Sequence, residues 1–425
     1  MQVIGNNHFR KTLIAGMIGN VLEWYDFVVY GFLAGVIGKL FFPSEDPTVE
    51  LLKSFAVFAV GFIARPIGGV LFGFLGDRIG RKRALMFSIV LMAFSTTTIG
   101  LLPTYYQIGI LAPTLLVILK ILQGLSVGGE YTTSVSFVVE HAPKSKRGLF
   151  GSIAILGAVI GILLGSASGA LITKILPEDA LYSYGWRILF LTGIILGFLG
   201  YYVRRNIDET PKFKEIKEKK EIDKNPIVDL IKNAKSGFFK TFSLSIFQAV
   251  GFYTIFVYLS QHLINFLKFP KPVALSINTV SMIVLAILIP IFGYLSDKFG
   301  RKPFIVYSTG ATFIFAYPIF NLISYGNQFY AQLGQIIFAV ITAGFMAVLP
   351  TTLVEIFPTK IRNTGYSIGY NLPFAIFGGT APLIATYLTK ITNNLASPSF
   401  YLMFAAGVAF IAGLMLEETA KKPLK

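Results

Sequence analysis

The first long apolar stretch of this sequence carries polar side chains at three- and four-residue intervals. They are Asn20, Glu23, Asp26 and Tyr30. In a helix all four lie on one face. Glu23 and Asp26 are then about one turn apart, and two carboxylates that close repel each other in a low dielectric when both are ionised. One of them is expected to hold a proton near neutral pH, so this face is a candidate proton-binding site.

A basic residue, Arg65, lies near the middle of the second apolar stretch. An ionisable side chain inside a span that crosses a membrane costs about 2.5–3.5 kcal/mol on insertion scales, so it needs a reason to be there. A guanidinium stays charged and can clamp a carboxylate through two hydrogen bonds. Arg65 is therefore a candidate for binding a substrate carboxylate or for coupling to the Asp26 proton. The alternative is that Arg65, like Lys120, is a fixed counter-ion that pairs with Glu23 or Asp26 to stabilise the helices.

The fourth apolar stretch has a polar face of its own. Its members, which fall within a narrow arc at 100° per residue, are Lys120, Gln123, Glu130 and Ser134. Gly124, Gly128 and Gly129 on the same stretch predict close packing against a neighbouring helix. The candidate proton-coupling residues are Asp26, Glu23 and Glu130. The candidate substrate-binding residues of this half are Arg65, Lys120, Gln123 and Tyr30.

The second half of the chain has no clear acid or base in the middle of an apolar stretch. It offers aromatic rings and neutral hydrogen-bonding groups instead, among them the run from Phe252 to Tyr258. Such rings usually pack a core, but aromatic faces also attract quaternary ammonium groups. The candidate substrate-binding residues of this half are Tyr253, Tyr258 and Asn371.

Two loop motifs occur twice, in the same order. Residues 73–82 and 293–302 both read G-x-L-x-D-[RK]-x-G-R-K, and residues 140–147 and 355–362 both read E-x-x-P-x-x-x-R. Each copy follows an apolar stretch, and the separations are 220 and 215 residues. A repeat of this length predicts two similar halves, which is typical of transporters built from internal repeats.

The repeated loops suggest a gate at one side of the membrane. The two aspartates can accept hydrogen bonds from a neighbouring helix N-terminus, and the first arginines can pair with the glutamates of the second motif. Exposed ion pairs of little energetic value, about 0–1 kcal/mol, are the alternative. The candidate gating residues are Asp77, Arg81, Glu140, Arg147, Asp297, Arg301, Glu355 and Arg362.

Composition places these residues in a membrane protein. Of 425 residues, 54% are apolar and 14% charged, against about 25% charged in soluble domains. The net charge of +16 is spread over alternate loops rather than gathered in one patch, which argues against nucleic-acid binding. This alternation follows the positive-inside rule and predicts that both termini and the long middle loop are cytoplasmic.

Twelve apolar runs of roughly membrane-spanning length can be placed. They are 12–38, 55–75, 84–102, 113–137, 149–173, 186–203, 241–264, 275–295, 304–324, 330–353, 364–389 and 399–416. The prediction is an all-α membrane protein of twelve transmembrane helices. It has an N-terminal six-helix bundle at 1–203, a cytoplasmic central loop at 204–240 and a C-terminal six-helix bundle at 241–425.

Over essentially its whole length, the chain resembles the major facilitator superfamily, whose signatures include both loop motifs. The segments 19–31, 65–69 and 123–131 resemble the metabolite:proton symporters within it, a group that carries proline and betaine, α-ketoglutarate, shikimate or citrate. The tail at 417–425 is similar to that of proline/betaine carriers, while the Phe252–Tyr258 run is as similar to dicarboxylate carriers. The family usually has arginine at the position of Lys120, which weakens a bidentate role for that residue.

The resemblance implies a secondary transporter in a bacterial-type plasma (inner) membrane. We expect it to import a small solute, with a proline/betaine-type osmolyte favoured, by proton symport through alternating access. An α-ketoglutarate or other carboxylate:proton symporter is the alternative, as is transport without protons. No cofactor is expected. The expected partners are the solute, protons and membrane lipid, with no nucleic acid and no obligate protein.

Other classes of function have little support in the sequence. With no cysteine and only His8, His141 and His262, no metal cluster or nucleophile–base pair is indicated, so an enzyme is not expected. The sequence contains no phosphate-binding G-x-x-x-x-G-K-[ST] loop, so ATP-driven pumping is not indicated. A membrane sensor that binds solute without transporting it is the remaining alternative, although no soluble output domain is evident.

Overall fold

The computed structural model of the chain describes residues 6–45, 47–219 and 226–424, and throughout these residues it contains helices and no strand. The helices up to the middle loop are α1 (Asn6–Phe32), α2 (Ala34–Phe41), α3 (Pro47–Arg78), α4 (Arg81–Leu101), α5 (Tyr105–Ile108), α6 (Leu111–His141), α7 (Arg147–Ile175), α8 (Glu178–Ala180) and α9 (Trp186–Arg205). The remaining helices are α10 (Pro211–Glu218), α11 (Pro226–Asn233), α12 (Lys235–Phe252), α13 (Leu259–Asn265), α14 (Lys271–Phe299), α15 (Lys302–Ser324), α16 (Gln328–Ile356), α17 (Arg362–Pro373), α18 (Ala381–Thr392) and α19 (Pro398–Leu414). A 3-10 turn at Lys144–Lys146 precedes α7, and π-helical segments occupy Leu181–Gly185, Tyr253–Tyr258 and Phe374–Gly378.

Most of these helices are built to cross a membrane. Among the described residues, ten helical spans have the length and apolar composition to do so, and the bent pair Met17–Gly31 and Ala34–Phe41 makes an eleventh. The shorter apolar helix α19 occupies the twelfth predicted position. The all-α prediction is confirmed, and the placement of both termini in the cytoplasm stays a prediction.

The chain forms two compact units. The first comprises Met1–His141 and Gly157–Pro226, and the second comprises Ala142–Leu156 and Ile227–Lys425. The predicted division of the chain at 204–240 stays a prediction, and residues 220–225 of that loop lie outside the described residues.

In the first unit, glycines allow α3 and α6 to pack backbone against backbone. A Cβ atom on Gly124 or Gly128 would overlap carbonyl oxygens of α3, and one on Gly68 would overlap the backbone of α6. A Cβ on Gly129 would overlap a phenylalanine ring of α3. The predicted close packing of this glycine-rich face is confirmed, and it brings the polar face of α6 next to Arg65.

In the second unit, two of the π-helical segments pack together. Tyr253 in the first segment and Phe374 in the second have ring centroids 6.3 Å apart, and a Cβ on Gly378 would lie 3.1 Å from the Tyr253 ring. A π-helical turn inserts one residue into an α-helix and is frequent at functional sites. Here it widens two apolar helices where their aromatic side chains meet.

Candidate functional site

The polar face predicted on α1 is buried in the first unit. Asn20, Glu23, Asp26 and Tyr30 are each at most 3% exposed. Glu23 accepts a hydrogen bond from Arg65, with 3.3 Å between Nη2 and Oε1, and the guanidinium lies over the ring of Phe62 at 5.4 Å. Arg65 thus pairs with an acid of the first stretch, Glu23, as the counter-ion alternative expects, and its role in substrate binding stays a prediction.

Asp26 takes part in a different set of contacts. Its Oδ2 accepts a hydrogen bond of 2.6 Å from the hydroxyl of Thr96 in α4. That hydroxyl oxygen accepts a bond of 2.6 Å from Nε2 of Gln123, and Oε1 of Gln123 accepts one of 2.8 Å from Nζ of Lys120. Lys120 and Asp26 are thus connected through two neutral side chains. Thr96 is absent from the sequence-based candidates because a threonine in an apolar helix carries no distinguishing signal.

The ammonium group of Lys120 lies on an aromatic surface. Its Nζ is 4.3 Å from the ring centroid of Tyr30 and 5.6 Å from that of Phe58, and these two rings stack at 5.9 Å. Tyr30 directs its hydroxyl away, to the carbonyl of Ser54 at 3.1 Å. The Tyr30 ring therefore presents a face to a cation, as cation–π attraction requires.

Several of these residues line one pocket. Its polar lining consists of Glu23, Asp26, Arg65, Lys120 and Gln123. Within the described chain, Oε2 of Glu23 and Oδ1 of Asp26 are buried atoms with no hydrogen-bond partner. A pocket with two cations, two carboxylates and open acceptor atoms can bind a charged solute and a proton.

Glu130 does not join this pocket. Its carboxylate forms a bidentate ion pair with Arg204, at the end of α9, and accepts a short hydrogen bond from Ser88. Gly19 makes room for the pair, because a Cβ there would overlap both charged groups. Arg204 is fully buried and also donates to the carbonyl of Leu85 at 3.0 Å. A partner that is always charged holds Glu130 as a counter-ion, and the proton-coupling role predicted for it stays a prediction.

The repeated loops form similar ion clusters in the two units. In the first unit Arg81 pairs with Asp77 at 3.1 Å and with Glu140 at 3.3 Å. In the second unit Arg301 pairs with Asp297 at 2.9 Å and with Glu355 at 3.3 Å. All six side chains are nearly or completely buried. The predicted pairing of each arginine with the glutamate of the second motif is confirmed.

Asp297 also caps a helix, as the sequence predicts. It accepts hydrogen bonds from the backbone N–H groups of Gly148 and Leu149, at 2.8 and 3.0 Å, at the start of α7. Arg147 in the same turn lies 3.6 Å from Glu355 and donates to the carbonyl of Lys422 at 2.9 Å. This segment belongs to the second unit, so its contacts extend the Arg301 cluster.

Arg362, the last candidate gating residue, is fully buried and donates from Nε to the carbonyls of Val354 and Phe357, at 3.0 and 3.2 Å. These contacts close the loop between α16 and α17. They are typical of an arginine that stabilises the conformation of a loop. The role of Arg362 in gating stays a prediction.

A third element, a Glu-Thr pair, is repeated in the two units and is not among the candidates predicted from the sequence. Glu209 accepts hydrogen bonds from the N–H groups of Arg81 and Lys82, and Thr210 donates to Glu140 at 2.6 Å. Burial raises the pKa of the Glu209 carboxyl, although hydrogen bonds from Thr210 and Lys82 and the charge of Arg81 oppose the rise.

The second unit repeats this arrangement. Glu418 accepts from the N–H groups of Arg301 and Lys302 at 2.9 and 3.1 Å, and Thr419 donates to Glu355 at 2.6 Å. The signal available in the sequence was a Glu-Thr pair shortly after the sixth and the twelfth apolar runs.

The candidate residues of the second unit fall into separate groups. Tyr253 packs among aromatic rings, next to Phe252 and Phe374, with centroid distances of 5.5 and 6.3 Å. Asn371 is buried and donates to the carbonyl of Ser367 in its own helix at 2.9 Å. The structure does not bring these two together with Tyr258 in one described pocket.

Tyr258 belongs to a hydrogen-bonded chain. Its hydroxyl lies 3.1 Å from Nδ1 of His262 and 3.1 Å from the hydroxyl of Thr389, which donates to the carbonyl of Ala385 at 2.9 Å. His262 is fully buried and its Nε2 has no hydrogen-bond partner among the described residues. Among all the residues that the structure describes, no group of three or more His, Cys, Asp or Glu side chains is placed to hold a metal ion.

Comparisons with known proteins agree with these observations. Residues 11–235 match the family model described as sugar (and other) transporter, and residues 241–425 match the model of the major facilitator superfamily. The chain is 39% identical to the glycine betaine/proline/ectoine/pipecolic acid transporter OusA of Dickeya dadantii and 38% identical to the proline/betaine transporter of Escherichia coli K12. Both alignments cover 100% of this chain and 86% of the relative.

A third relative, a putative proline/betaine transporter of Staphylococcus aureus, is 37% identical over 98% of this chain and 90% of its own length. Among solved structures, the proton:xylose symporter XylE bound to 6-bromo-6-deoxy-D-glucose superposes with a TM-score of 0.83, covering 98% of each chain. The identity to that structure is 19%, so the likeness concerns the fold alone.

Proposed function

Because this chain belongs to the major facilitator superfamily, we propose that it imports a proline/betaine-type osmolyte together with a proton by alternating access. Its family and its apolar helices make it a multi-pass transporter of a bacterial-type inner (plasma) membrane. In this proposal the chain performs no enzymatic reaction and uses no cofactor. Its partners are the solute, protons and membrane lipid, with neither nucleic acid nor an obligate protein partner.

The observation that carries the proposal is the pocket of the first unit. Glu23, Asp26, Arg65 and Lys120 line it and are each at most 4% exposed. Ionisable groups inside membrane spans are costly and mark ion or substrate pathways. Both carboxylates have an open acceptor atom, and Asp26 is the proposed proton site because Glu23 is neutralised by Arg65.

The same pocket suits a small zwitterion. Lys120 supplies positive charge for a carboxylate, and the rings of Tyr30 and Phe58 supply a face for a quaternary ammonium or prolinium group. Binding of the carboxylate would draw the Lys120 ammonium off the aromatic face and leave that face to the solute's cation. The relatives named as proline or betaine transporters support this class of solute.

A dicarboxylate such as α-ketoglutarate is the second candidate solute. The observation in its favour is that two cations, Arg65 and Lys120, line one pocket. Against it, the ion pair to Glu23 already neutralises Arg65, which leaves one cation for an incoming carboxylate.

Competition for uptake separates these candidates. Labelled proline is supplied to a transport-null host that expresses the chain, and unlabelled glycine betaine or α-ketoglutarate is added in excess. We expect betaine to suppress uptake and α-ketoglutarate to leave it unchanged. Suppression by α-ketoglutarate alone would replace the osmolyte proposal with the carboxylate one. Binding without accumulation of any of these solutes would favour a sensor.

Proton coupling is tested in vesicles. One net charge moving inward gains about 2.3 kcal/mol per 100 mV, which corresponds to roughly a 50-fold concentration ratio. We expect uptake to collapse when a protonophore dissipates the gradient and to persist when a sodium gradient is dissipated. The opposite pattern would assign another coupling ion.

The ion clusters around Arg81 and Arg301 are proposed to stabilise one state of the transport cycle. Their gating residues include Asp77, Glu140, Asp297, Glu355, Arg147 and Arg362. A buried arginine with two carboxylates is stable only while its partners stay in place, so a change of conformation that separates them is costly. We propose that the binding of solute and proton provides the free energy that offsets this cost.

The proposed topology has two six-helix bundles at 1–203 and 241–425, joined by a cytoplasmic loop, with both termini in the cytoplasm. The chain lacks cysteine, so single cysteines can report on it. Lys217→Cys in the loop should react with a membrane-impermeant maleimide in inside-out vesicles and not in intact cells. Lys53→Cys is the matched control and should react from the outside alone.

A further inference from the structure

We infer that Thr96 and Gln123 form a directional hydrogen-bonded relay that couples the solute site at Lys120 to the proton site at Asp26. The inference rests on the proposed function and deepens it, because it names the residues through which one binding event affects the other. Thr96 is a positioning residue in this scheme. It contacts Asp26 and need not contact the solute.

The direction of the relay follows from the chemistry of its ends. A lysine ammonium can only donate, so the Gln123 atom 2.8 Å from Nζ must be the carbonyl oxygen. The other end of the amide, Nε2, then donates to Thr96 over 2.6 Å. Because the threonine oxygen receives this hydrogen, its own single hydrogen points to Oδ2 of Asp26, also over 2.6 Å. Each member has one possible orientation while Lys120 remains in place.

The relay also selects the oxygen that takes the proton. Oδ2 of Asp26 is held as an acceptor by Thr96, so a proton that arrives from the pocket binds Oδ1. Oδ1 is buried and has no hydrogen-bond partner in the described chain. No other bond is made or broken in this step. Protonation at Oδ1 neutralises the aspartate and leaves its contact with Thr96 intact.

Burial makes the relay sensitive to its charged end. Thr96 is completely buried, and Gln123, Lys120 and Asp26 are at most 4% exposed. Hydrogen bonds in such low-dielectric surroundings are strengthened by their neighbours. Among the described residues, Lys120 and Asp26 form no direct ion pair, so the two neutral side chains are the hydrogen-bonded connection between them.

Solute binding would release the relay from its fixed orientation. When a solute carboxylate takes the ammonium of Lys120, the amide of Gln123 loses the donor that oriented it and becomes free to turn. Rotation of the protonated Asp26 carboxyl then turns its O–H group, formed at Oδ1, toward Thr96, which reverses and accepts the hydrogen bond. The state with both solute and proton bound is thereby favoured over the state with one of them. Such coupling is reciprocal, so the proton also favours the solute.

The experiment compares two transport modes in proteoliposomes that contain the full chain. One is accumulation of labelled glycine betaine driven by a proton gradient, and the other is exchange of betaine at equal concentration on both sides. Thr96→Val keeps the side-chain shape and removes the hydroxyl group. We expect it to lower accumulation at least about tenfold and to leave exchange within about twofold of wild type. Thr96→Ser keeps the hydroxyl and should restore accumulation.

A matched control is available on the same helix. Thr98 donates to the carbonyl of Phe94 in its own helix at 2.7 Å and takes no part in the relay. Thr98→Val should therefore leave both transport modes unchanged. In addition, the accumulation defects of Thr96→Val and Gln123→Met should fail to add in the double variant, because either substitution alone interrupts the relay.

Two results would overturn the inference while leaving the proposed function intact. In the first, Thr96→Val accumulates betaine like wild type. In the second, Thr96→Val loses exchange and accumulation together, which would assign Thr96 a structural role. Failure of the wild-type chain to accumulate betaine or proline under a proton gradient would instead refute the proposed function.

Discussion

The interiors of the two units differ in charge although their repeated loops are alike. The first unit buries Glu23, Asp26, Arg65 and Lys120 around one pocket. The interior of the second unit, as far as the structure describes it, has aromatic rings packed edge to face and the hydrogen-bonded chain from His262 to Thr389. Buried charge is costly, and this contrast is the reason for proposing that the coupling chemistry belongs to the first unit.

At the loops the two units contain the same cluster of ion pairs and hydrogen bonds. Arg81, Glu140 and Thr210 correspond to Arg301, Glu355 and Thr419, with hydroxyl-to-carboxylate distances of 2.6 Å in both units. A glutamate also caps the helix that follows each loop, namely Glu209 in the first unit and Glu418 in the second. Repetition of a buried cluster indicates a shared mechanical role, and solute identity has to be sought where the repeat is broken.

The largest effect is expected from removing the proton site in the first unit. Asp26→Asn should lower gradient-driven accumulation at least about a hundredfold and retain exchange, because the amide cannot bind the proton; each tenfold step corresponds to about 1.4 kcal/mol. His262→Gln in the second unit should stay within about twofold of wild type. Transport of labelled betaine in proteoliposomes measures both. An equal loss in the two variants would break the contrast between the units.

The next effect concerns the repeated arginines. Arg81→Gln and Arg301→Gln each remove the cation that two buried carboxylates share, and loss of one partner of a buried ion pair costs about 3–5 kcal/mol. We expect both variants to unfold at clearly lower temperature in detergent, by similar amounts. Lys214→Gln, at an exposed position of α10, is the control and should behave as wild type. A loss confined to one arginine would show that the two loops are not equivalent.

The threonines should produce a smaller, unequal pair of effects. Thr210→Val and Thr419→Val each remove a hydrogen bond to a buried carboxylate, worth about 1.5–3 kcal/mol. Thr210 also accepts from the N–H of Phe213 and caps α10, which adds about 1 kcal/mol. The melting temperature of Thr210→Val is therefore expected to fall further. Serine substitutions should rescue both, and a larger loss at Thr419 would contradict this order.

The smallest effect is a difference in pH dependence between the two capping glutamates. Burial raises the pKa of Glu209 in the folded chain, so the folded state binds its proton more readily than the unfolded state. Its contribution to the free energy of unfolding is then most favourable at acid pH and declines as pH rises above the ordinary glutamate range. Glu209→Gln should remove this slope, as followed by melting temperature between acid and neutral pH.

Glu418, which is exposed, is the matched position in the second unit. Glu418→Gln should change the pH profile less than Glu209→Gln does. A steeper change at Glu418 would mean that burial of the cap is not the cause of the slope.

The sequence by itself determined the membrane class, the helical positions and the duplication. These depend on local properties, namely the length of apolar runs, the sign of loop charges and the recurrence of short motifs. The acidic face of α1 and the pairing of Arg81 and Arg301 with the second-motif glutamates were also predictable. In those cases, helical spacing or the repeat itself restricted the partners.

Only the tertiary structure decided which buried groups meet. Thr96 and Arg204 are single residues without a sequence signature, and their partners lie 70 and 74 residues away in the chain. Glu130 shares a face with Lys120 in α6 yet pairs with Arg204, because the glycine contacts of α3 and α6 orient that face and Gly19 admits the guanidinium. Such choices depend on the approach of several helices at once, which no local pattern records.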